Sequence, residues 1–360
     1  MTSLLRLETP EEGMPRRRLL VIQPLVGIGD MVWHKPWIDH LAAFYDVILA
    51  TKPTVQASVL FAKTPGVIDI LDIDRSQRGK RGQHDGIMGL WRLAQRFRQA
   101  DVDQVVIMHH SSTYAIAAWL AGIPARFGYG IGGQSRWLNR GYFLPKSARH
   151  QHPTSKMAIF ADINGFAPVA TSWRITPTDF AFDEADRFLA AHDVGIDKNG
   201  KSPFIIMGVG AMHPDRRWSA ENFAKLVAQM RHDRPDIHIG LMGAPSEQPI
   251  IDAVLSHLAD TAGVISCTYK LDVAIALFVR AICYAGNDTS LLNLSAVAGT
   301  PSIGLFAQSG PLTYSPNILA VCVDEDKMGI PGQIDAITPA RVSVAITALL
   351  PPIKMDRANG

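Results

Sequence analysis

The sequence predicts an α/β chain built from two doubly wound parallel sheets, and three observations carry that expectation. Short aliphatic runs alternate with amphipathic segments along the chain, the pattern of βα units. The alternation lapses in a stretch rich in Pro, Thr and Ser at 168–177, and then the same rhythm restarts. A length of 360 residues exceeds one ordinary hydrophobic core and suits two. The expected domains are therefore 1–175 and 176–360.

In order, the first strand is expected at RLLVIQP (18–24), followed by YDVILAT (45–51) and DQVVIMH (103–109). Amphipathic helices are expected over 31–43, 89–100 and 113–121, the last ending at the Gly122-Ile123-Pro124 breaker. Beyond the linker a helix is expected near 183–192. Short strands then recur at SPFIIMGVGA (202–211), IHIGLMG (237–243), GVISC (263–267), AICYAG (281–286) and PSIGLF (301–306). Ligands of such sheets bind beyond the carboxyl ends of the strands, so the loops that follow strands are where chemistry is sought.

The bulk numbers narrow the class. A hydrophobic fraction of 47% and a charged fraction of 19% are those of a globular protein. No apolar run approaches the roughly 20 residues of a spanning helix, and the stretch MTSLLRLETPEEGMPRRR lacks the apolar core of a signal peptide. Cys267, Cys283 and Cys322 lack metal or redox spacing and read as buried thiols of a reducing cytoplasm. The charge is split: residues 1–175 hold 21 Lys/Arg against 13 Asp/Glu (+8), and 176–360 hold 14 against 20 (−6), summing to the net +2. A basic half beside an acidic one suits an anionic partner, though chance produces such splits as well.

Four loops are candidates for chemistry. In QPLVGIGD (23–30), Gly27 and Gly29 let the backbone turn tightly, and Asp30 is either a helix cap or a general base. The dinucleotide fingerprint is incomplete because position 32 is Val, so a Rossmann dehydrogenase is poorly supported. In GVGAMHPDRRWSAENFAKL (208–226), Arg216 and Arg217 stand just before a helix that Ser219 can cap, a place for a phosphate or for a solvated charge pair. In GAPSEQ (243–248), Glu247 follows a strand and can accept from ribose hydroxyls. In GNDTSLLNLSAVAGTPSIGLF (286–306), Asp288 and Thr289 either cap a helix or, with its amides, cradle a diphosphate.

These loops, in this order, resemble glycosyltransferase family 9, the bacterial heptosyltransferases of lipopolysaccharide core synthesis. The likeness is carried by VIQPLVGIGDMVWHKPW, AGIPARFGY, GVGAMHPDRRWSAENFAKL, GAPSE and GNDTSLLNLSAVAGTPSIGLF, together with the spacing from Gly29 to Pro36. It implies a GT-B fold, two Rossmann-like domains facing across a cleft, with acceptor on the N-terminal half and nucleotide sugar, typically ADP-heptose, on the C-terminal half. It implies inverting transfer without an obligatory metal or cofactor. By the same resemblance Asp30 is the general base, Arg216 contacts donor phosphate with Arg217 beside it, and Glu247 binds the ribose. Tyr269 falls where an adenine-contacting side chain sits, and Asp288 and Thr289 meet the donor's phosphate and sugar. Where the family usually reads D-T-G-x-x-H, this chain has D-T-S-L-L-N, so Ser290 and Asn293 stand for glycine and histidine. The donor's identity is expected to depend on them.

On the acceptor side, His109, His110 and Ser111 of MHHSSTY (108–114) follow a strand and are expected to face the acceptor with Gly29. A packed histidine and a helix-capping serine explain the same residues. Arg75, Arg78, Lys80 and Arg81 form a basic run that suits phosphates of a lipid-linked acceptor or is merely solvated, and Arg136 and Arg140 are alternative contacts. The expected partners are a nucleotide-sugar donor and an anionic lipid-linked glycan, with contact at the inner face of the cytoplasmic membrane. Nucleic acid is not expected, because aromatics do not interleave with the basic runs. Two other readings use the same scaffold: a non-catalytic sugar-nucleotide or lipopolysaccharide-binding protein, and a sugar-nucleotide epimerase.

Overall fold

Aliphatic runs become interior parallel strands when helices cover both their faces, and both halves of the chain follow that rule. A computed structural model describes residues 4–7, 15–76, 79–170, 173–197 and 199–352. The chain divides into two compact units, residues 1–173 and 174–360, parting within the Pro-Thr-Ser stretch.

In the first unit β1 (Arg18–Gln23), α1 (Ile28–Phe44), β2 (Asp46–Thr51), α2 (Ala57–Leu60) and β3 (Val67–Asp72) are followed by α3 (Gly86–Gln99) and β4 (Gln104–Ile107). Then come α4 (Ser112–Leu120), β5 (Ala125–Gly128) and α5 (Pro153–Ile163). The strands are parallel in the order β3-β2-β1-β4-β5. Leu20 and Ile22 of β1 join Leu93 and Phe97 of α3 and Tyr114 of α4 in one buried core. On the other helical layer α1 packs against α5.

The second unit begins with α6 (Asp179–Ala191), whose first turn is capped by Thr178 accepting from Ala181 N. Its remaining elements are β6 (Phe204–Gly208), α7 (Ala220–Asp233), β7 (His238–Met242), α8 (Gln248–Ser256), β8 (Val264–Cys267) and α9 (Leu271–Arg280). They continue with β9 (Cys283–Asn287), α10 (Ser290–Val297), β10 (Ser302–Phe306), β11 (Ile318–Cys322) and α11 (Pro339–Thr347). The sheet is again parallel, ordered β11-β10-β9-β6-β7-β8. Trp218 is fully buried in its core and donates from Nε1 to Ile337 O at 2.9 Å.

The structure adds elements that aliphatic periodicity did not reveal: β3, β5 and β11. All three are edge strands of their sheets. An edge strand is covered less completely, and the burial of β3 (VIDILD) is correspondingly partial throughout. The start of α1 also lies earlier than expected, at Ile28 rather than 31.

Candidate active site

A doubly wound sheet opens a crevice where its strand order reverses. In the first unit that point lies between β1 and β4, so the loops after these strands flank it. The backbone enters α1 at Gly27, and Asp30 occupies the third helical position. Asp30 is therefore not the residue that opens the helix. It reaches back, with Oδ2 accepting from Gly27 N at 3.1 Å, one half of a capping box. Burial pushes its carboxyl above the usual carboxylate range, and the Gly27 N–H opposes that push. A carboxylate short of water and partners is a stronger base than a solvated one.

One turn on, His34 is 1% exposed. Its Nδ1 lies 2.6 Å from Asp30 O, and a carbonyl only accepts, so the proton sits on Nδ1. Burial drops the imidazole pKa from 6.5 to about 4, so the ring stays neutral. A group whose folded pKa is depressed in this way favours the native state fully above pH 6.5, and loses that preference as pH falls towards 4. His34 alone is expected to cost the first unit about 3 kcal/mol of stability across that window. Melting followed from above pH 6.5 down to pH 4 checks this, and His34→Gln should flatten the slope; equal slopes in both proteins would contradict it.

After β4, the His109 ring is stacked on His110 at 4.3 Å between centroids. Ser111 N donates to His109 Nδ1 at 3.1 Å, which leaves Nε2 as the protonated nitrogen. Burial, helped by the fields of His110, His34, Lys156 and Arg75, lowers the His109 pKa to about 3, so it presents a neutral N–H. Ser111 caps α4 by accepting from Thr113 N at 3.3 Å. The wholly buried Gln134 fixes this loop, donating to His109 O at 2.7 Å and accepting from Gly130 N at 2.9 Å. Gly29 lies in the first turn of α1, half-buried. Arg136 is exposed on the 3-10 turn Gly132–Trp137, and its side chain makes no hydrogen bond or ion pair to another described residue. The Arg140 side chain donates to the neighbouring Asn139 O, and its backbone N to Arg126 O. Arg75 is paired with Asp85 at 3.3 Å, Lys80 and Arg81 are exposed, and Arg78 lies outside the described residues.

In the second unit the strand order reverses between β9 and β6. Asn287, at the end of β9, is wholly buried and ties the two loops together. Its Oδ1 accepts from Trp218 N at 3.0 Å, and its Nδ2 donates to Val209 O at 3.2 Å and Gly210 O at 3.1 Å. Ser219 then caps α7, accepting from Asn222 N at 3.4 Å. Glu247 lies over Gly210 so closely that a Cβ there would come within 2.1 Å of Oε2. Ala244 N holds the same oxygen at 2.7 Å.

Arg216 is exposed and donates from Nε to Gln308 Oε1 at 2.7 Å, while Gln308 Nε2 donates to Asp215 Oδ2 at 2.5 Å. The adjacent Ser309 donates to Asp288 Oδ2 at 2.5 Å. Arg216 and Asp288 are thus joined through consecutive residues of the loop after β10. Arg217 turns the other way, half-buried, and gives Nη2 to Ala211 O at 2.9 Å. Thr289 occupies the N-cap position of α10, but its hydroxyl does not bond the helix amides; it lies buried beside the Tyr284 hydroxyl. The amides of Ser290 and the first turn are left without a side-chain cap, the condition in which a helix N-terminus holds an anion. Asn293 is buried, donates to Thr289 O at 3.0 Å and accepts from Tyr314 OH at 2.7 Å. Tyr269 stands apart from this group, after edge strand β8, half-buried and edge-on to Phe188 of α6.

Arg216, Glu247, Asp288, Thr289, Ser290 and Asn293 therefore gather at the carboxyl ends of β6, β7 and β9, whereas Arg217 is absorbed by its own loop. Sequence reasoning missed Gln308 and Ser309, although their place just after a strand was a usable signal. It also left His34 and the tying role of Asn287 unassigned.

Two doubly wound parallel sheets in succession are the two Rossmann-like units of the GT-B class. Residues 90–328 match the profile of glycosyltransferase family 9 (heptosyltransferase), and the chain belongs to that family. It is a glycosyltransferase. The lipopolysaccharide core heptosyltransferase OpsX of Haemophilus influenzae is 22% identical over 307 residues, 82% of this chain and 81% of that protein. Among solved structures, the family 9 glycosyl transferase of Veillonella parvula matches with a TM-score of 0.75 at 17% identity, covering 93% of this chain and 97% of its own. The E. coli ADP-heptose lps heptosyltransferase II matches at 0.72 and 19% identity, covering 92% and 98%.

Proposed function

We propose that the chain is an inverting heptosyltransferase that moves heptose from ADP-heptose to a lipopolysaccharide core or related anionic glycan. The observation that carries this reading is the connected set Arg216–Gln308–Ser309–Asp288 beside the uncapped N-terminus of α10. Guanidinium, hydroxyl and free amides together suit a diphosphate. The relatives named for ADP-heptose and for lipopolysaccharide core transfer support the choice of sugar and acceptor.

In the proposed reaction an acceptor hydroxyl attacks the anomeric carbon while the bond from that carbon to the diphosphate oxygen breaks. Asp30 takes the hydroxyl proton, and ADP leaves with the bonding pair. Negative charge grows on the departing diphosphate, where Arg216 and the first amides of α10 stabilise it most. Glu247, fixed against Gly210, accepts from the ribose hydroxyls, and Tyr269 lies towards the adenine. Asp288, Thr289, Ser290 and Asn293 shape the sugar end. In the N-terminal unit Gly29, His109, His110, Ser111 and Arg136 receive the acceptor, with His109 giving a neutral N–H.

Gly210→Ala is expected to drive the Glu247 carboxylate from its place and raise the donor KM about tenfold, about 1.4 kcal/mol of binding, with a smaller effect on kcat. Gly195→Ala, which meets nothing within 4 Å, is the control. Unchanged donor KM in Gly210→Ala would remove Glu247 from the donor site. The donor itself is tested by melting with a panel of nucleotide sugars, since a ligand of the folded form raises Tm. ADP-heptose should give the largest rise; a larger rise with a uridine-linked sugar would overturn the assignment.

A further inference from the structure

Helix α3 carries a surface that neither catalysis nor folding uses. Its inner face, through Leu93, Ala94 and Phe97, is buried against the sheet. On its outer face Ile87 is 88% exposed, Met88 65% and Trp91 53%. Large apolar side chains so exposed and so close together are uncommon on a surface that stays in water. Positions 87, 88, 91 and 92 share one helical stripe, so Arg92 stands beside Trp91. The helix has no Asp or Glu in its sequence GIMGLWRLAQRFRQ, and Lys80 and Arg81 are exposed in the loop before it.

Asp85 is paired with Arg75, and among the described residues neither it nor Asp74 forms an ion pair with Lys80, Arg81 or Arg92; both carboxylates also hold backbone amides. Asp85 Oδ2 accepts from Gly82 N at 2.8 Å and Ser76 N at 2.6 Å, and Asp74 Oδ2 accepts from Gln83 N at 2.9 Å. The result is an apolar tip framed by positive charge, with a tryptophan at the boundary, the composition of a segment that rests in a lipid interface. A protein partner would equally cover apolar side chains, but unbalanced lysine and arginine around them favour an anionic bilayer.

We propose that Ile87, Met88 and Trp91, framed by Lys80, Arg81 and Arg92, form a docking surface for an anionic phospholipid bilayer. The helix of a parallel βα unit starts at the carboxyl edge of its sheet, so Ile87 and Met88 lie at the edge that also bears Asp30 and His109. A bilayer docked there would present a lipid-linked glycan to those loops. Only that orientation rests on the transferase reading.

The test is cosedimentation of the full chain with phosphatidylcholine vesicles, with and without phosphatidylglycerol, at low and high salt. The protein should pellet with the anionic vesicles and be released by salt. Ile87→Ser/Trp91→Ser and Lys80→Glu/Arg81→Glu should each weaken binding by about tenfold or more, with unchanged melting curves because all four positions are exposed. Absence of binding to anionic vesicles, or variants that bind as tightly as the parent, overturns the proposal, whatever protein the face is found to hold. The assay contains neither donor nor acceptor, so its failure leaves the transfer reading untouched, and loss of transfer would leave vesicle binding untouched.

Discussion

Replacing Asp30 by alanine is expected to lower turnover by at least about 100-fold while leaving the donor dissociation constant nearly unchanged. The expectation follows from where the carboxylate stands. Asp30 is in the first unit, and none of the groups proposed to hold the diphosphate belongs to that unit. Its pKa is raised by burial, so the ionised form is costly to the fold and basic towards a proton. A carboxylate with a raised folded pKa stabilises the native state most below that pKa, and costs stability as pH rises through it. Asp30→Asn, which keeps an oxygen for Gly27 N, should therefore melt no lower than the parent at neutral pH although it is inactive. The acid limb of kcat/KM should lie above the ordinary carboxylate value of 3.8 and disappear with the side chain. Near-normal turnover in Asp30→Ala would end its assignment as the base.

The second large effect is structural. Asn287→Ala removes the partner of three backbone groups around a buried site: Trp218 N, Val209 O and Gly210 O. Leaving buried amide groups unsatisfied costs about 1–3 kcal/mol apiece, and partial relaxation brings the expected total to about 3 kcal/mol. For a unit of this size that is a fall in Tm of about 10 °C. The same bonds hold the loop that carries Arg216, so donor affinity should weaken even where the variant is folded. Calorimetry and donor titration check the two consequences. A variant that melts like the parent would show that the loop is held by Trp218 packing alone.

Much of this arrangement was legible in the residues. The aliphatic runs at 18–24, 45–51, 202–211 and 301–306 are interior strands because burial on both faces leaves no polar positions to blur them. The rule that ligands bind beyond strand ends pointed to Asp30, Glu247 and Asp288, and each does follow a strand of its sheet. What escaped notice depends on partners distant in sequence. Asn287 meets Trp218 across 69 residues, and Arg216 meets Gln308 across 92, so no local pattern announces either. His34 escaped for another reason: only burial distinguishes it from a surface histidine, and burial there comes from the packing around α1. Ser290 and Asn293 show the opposite case. They stood out as departures from the family pattern, and the structure shows Asn293 engaged at both ends of its amide, with Thr289 O and Tyr314 OH.

The most direct test of the proposed transfer is release of ADP from ADP-heptose by the purified chain, measured with and without a lipopolysaccharide core acceptor. The account predicts release that depends on acceptor and is abolished in Asp30→Ala. Binding of ADP-heptose without acceptor-dependent release would contradict it and point to a binding protein on the same scaffold.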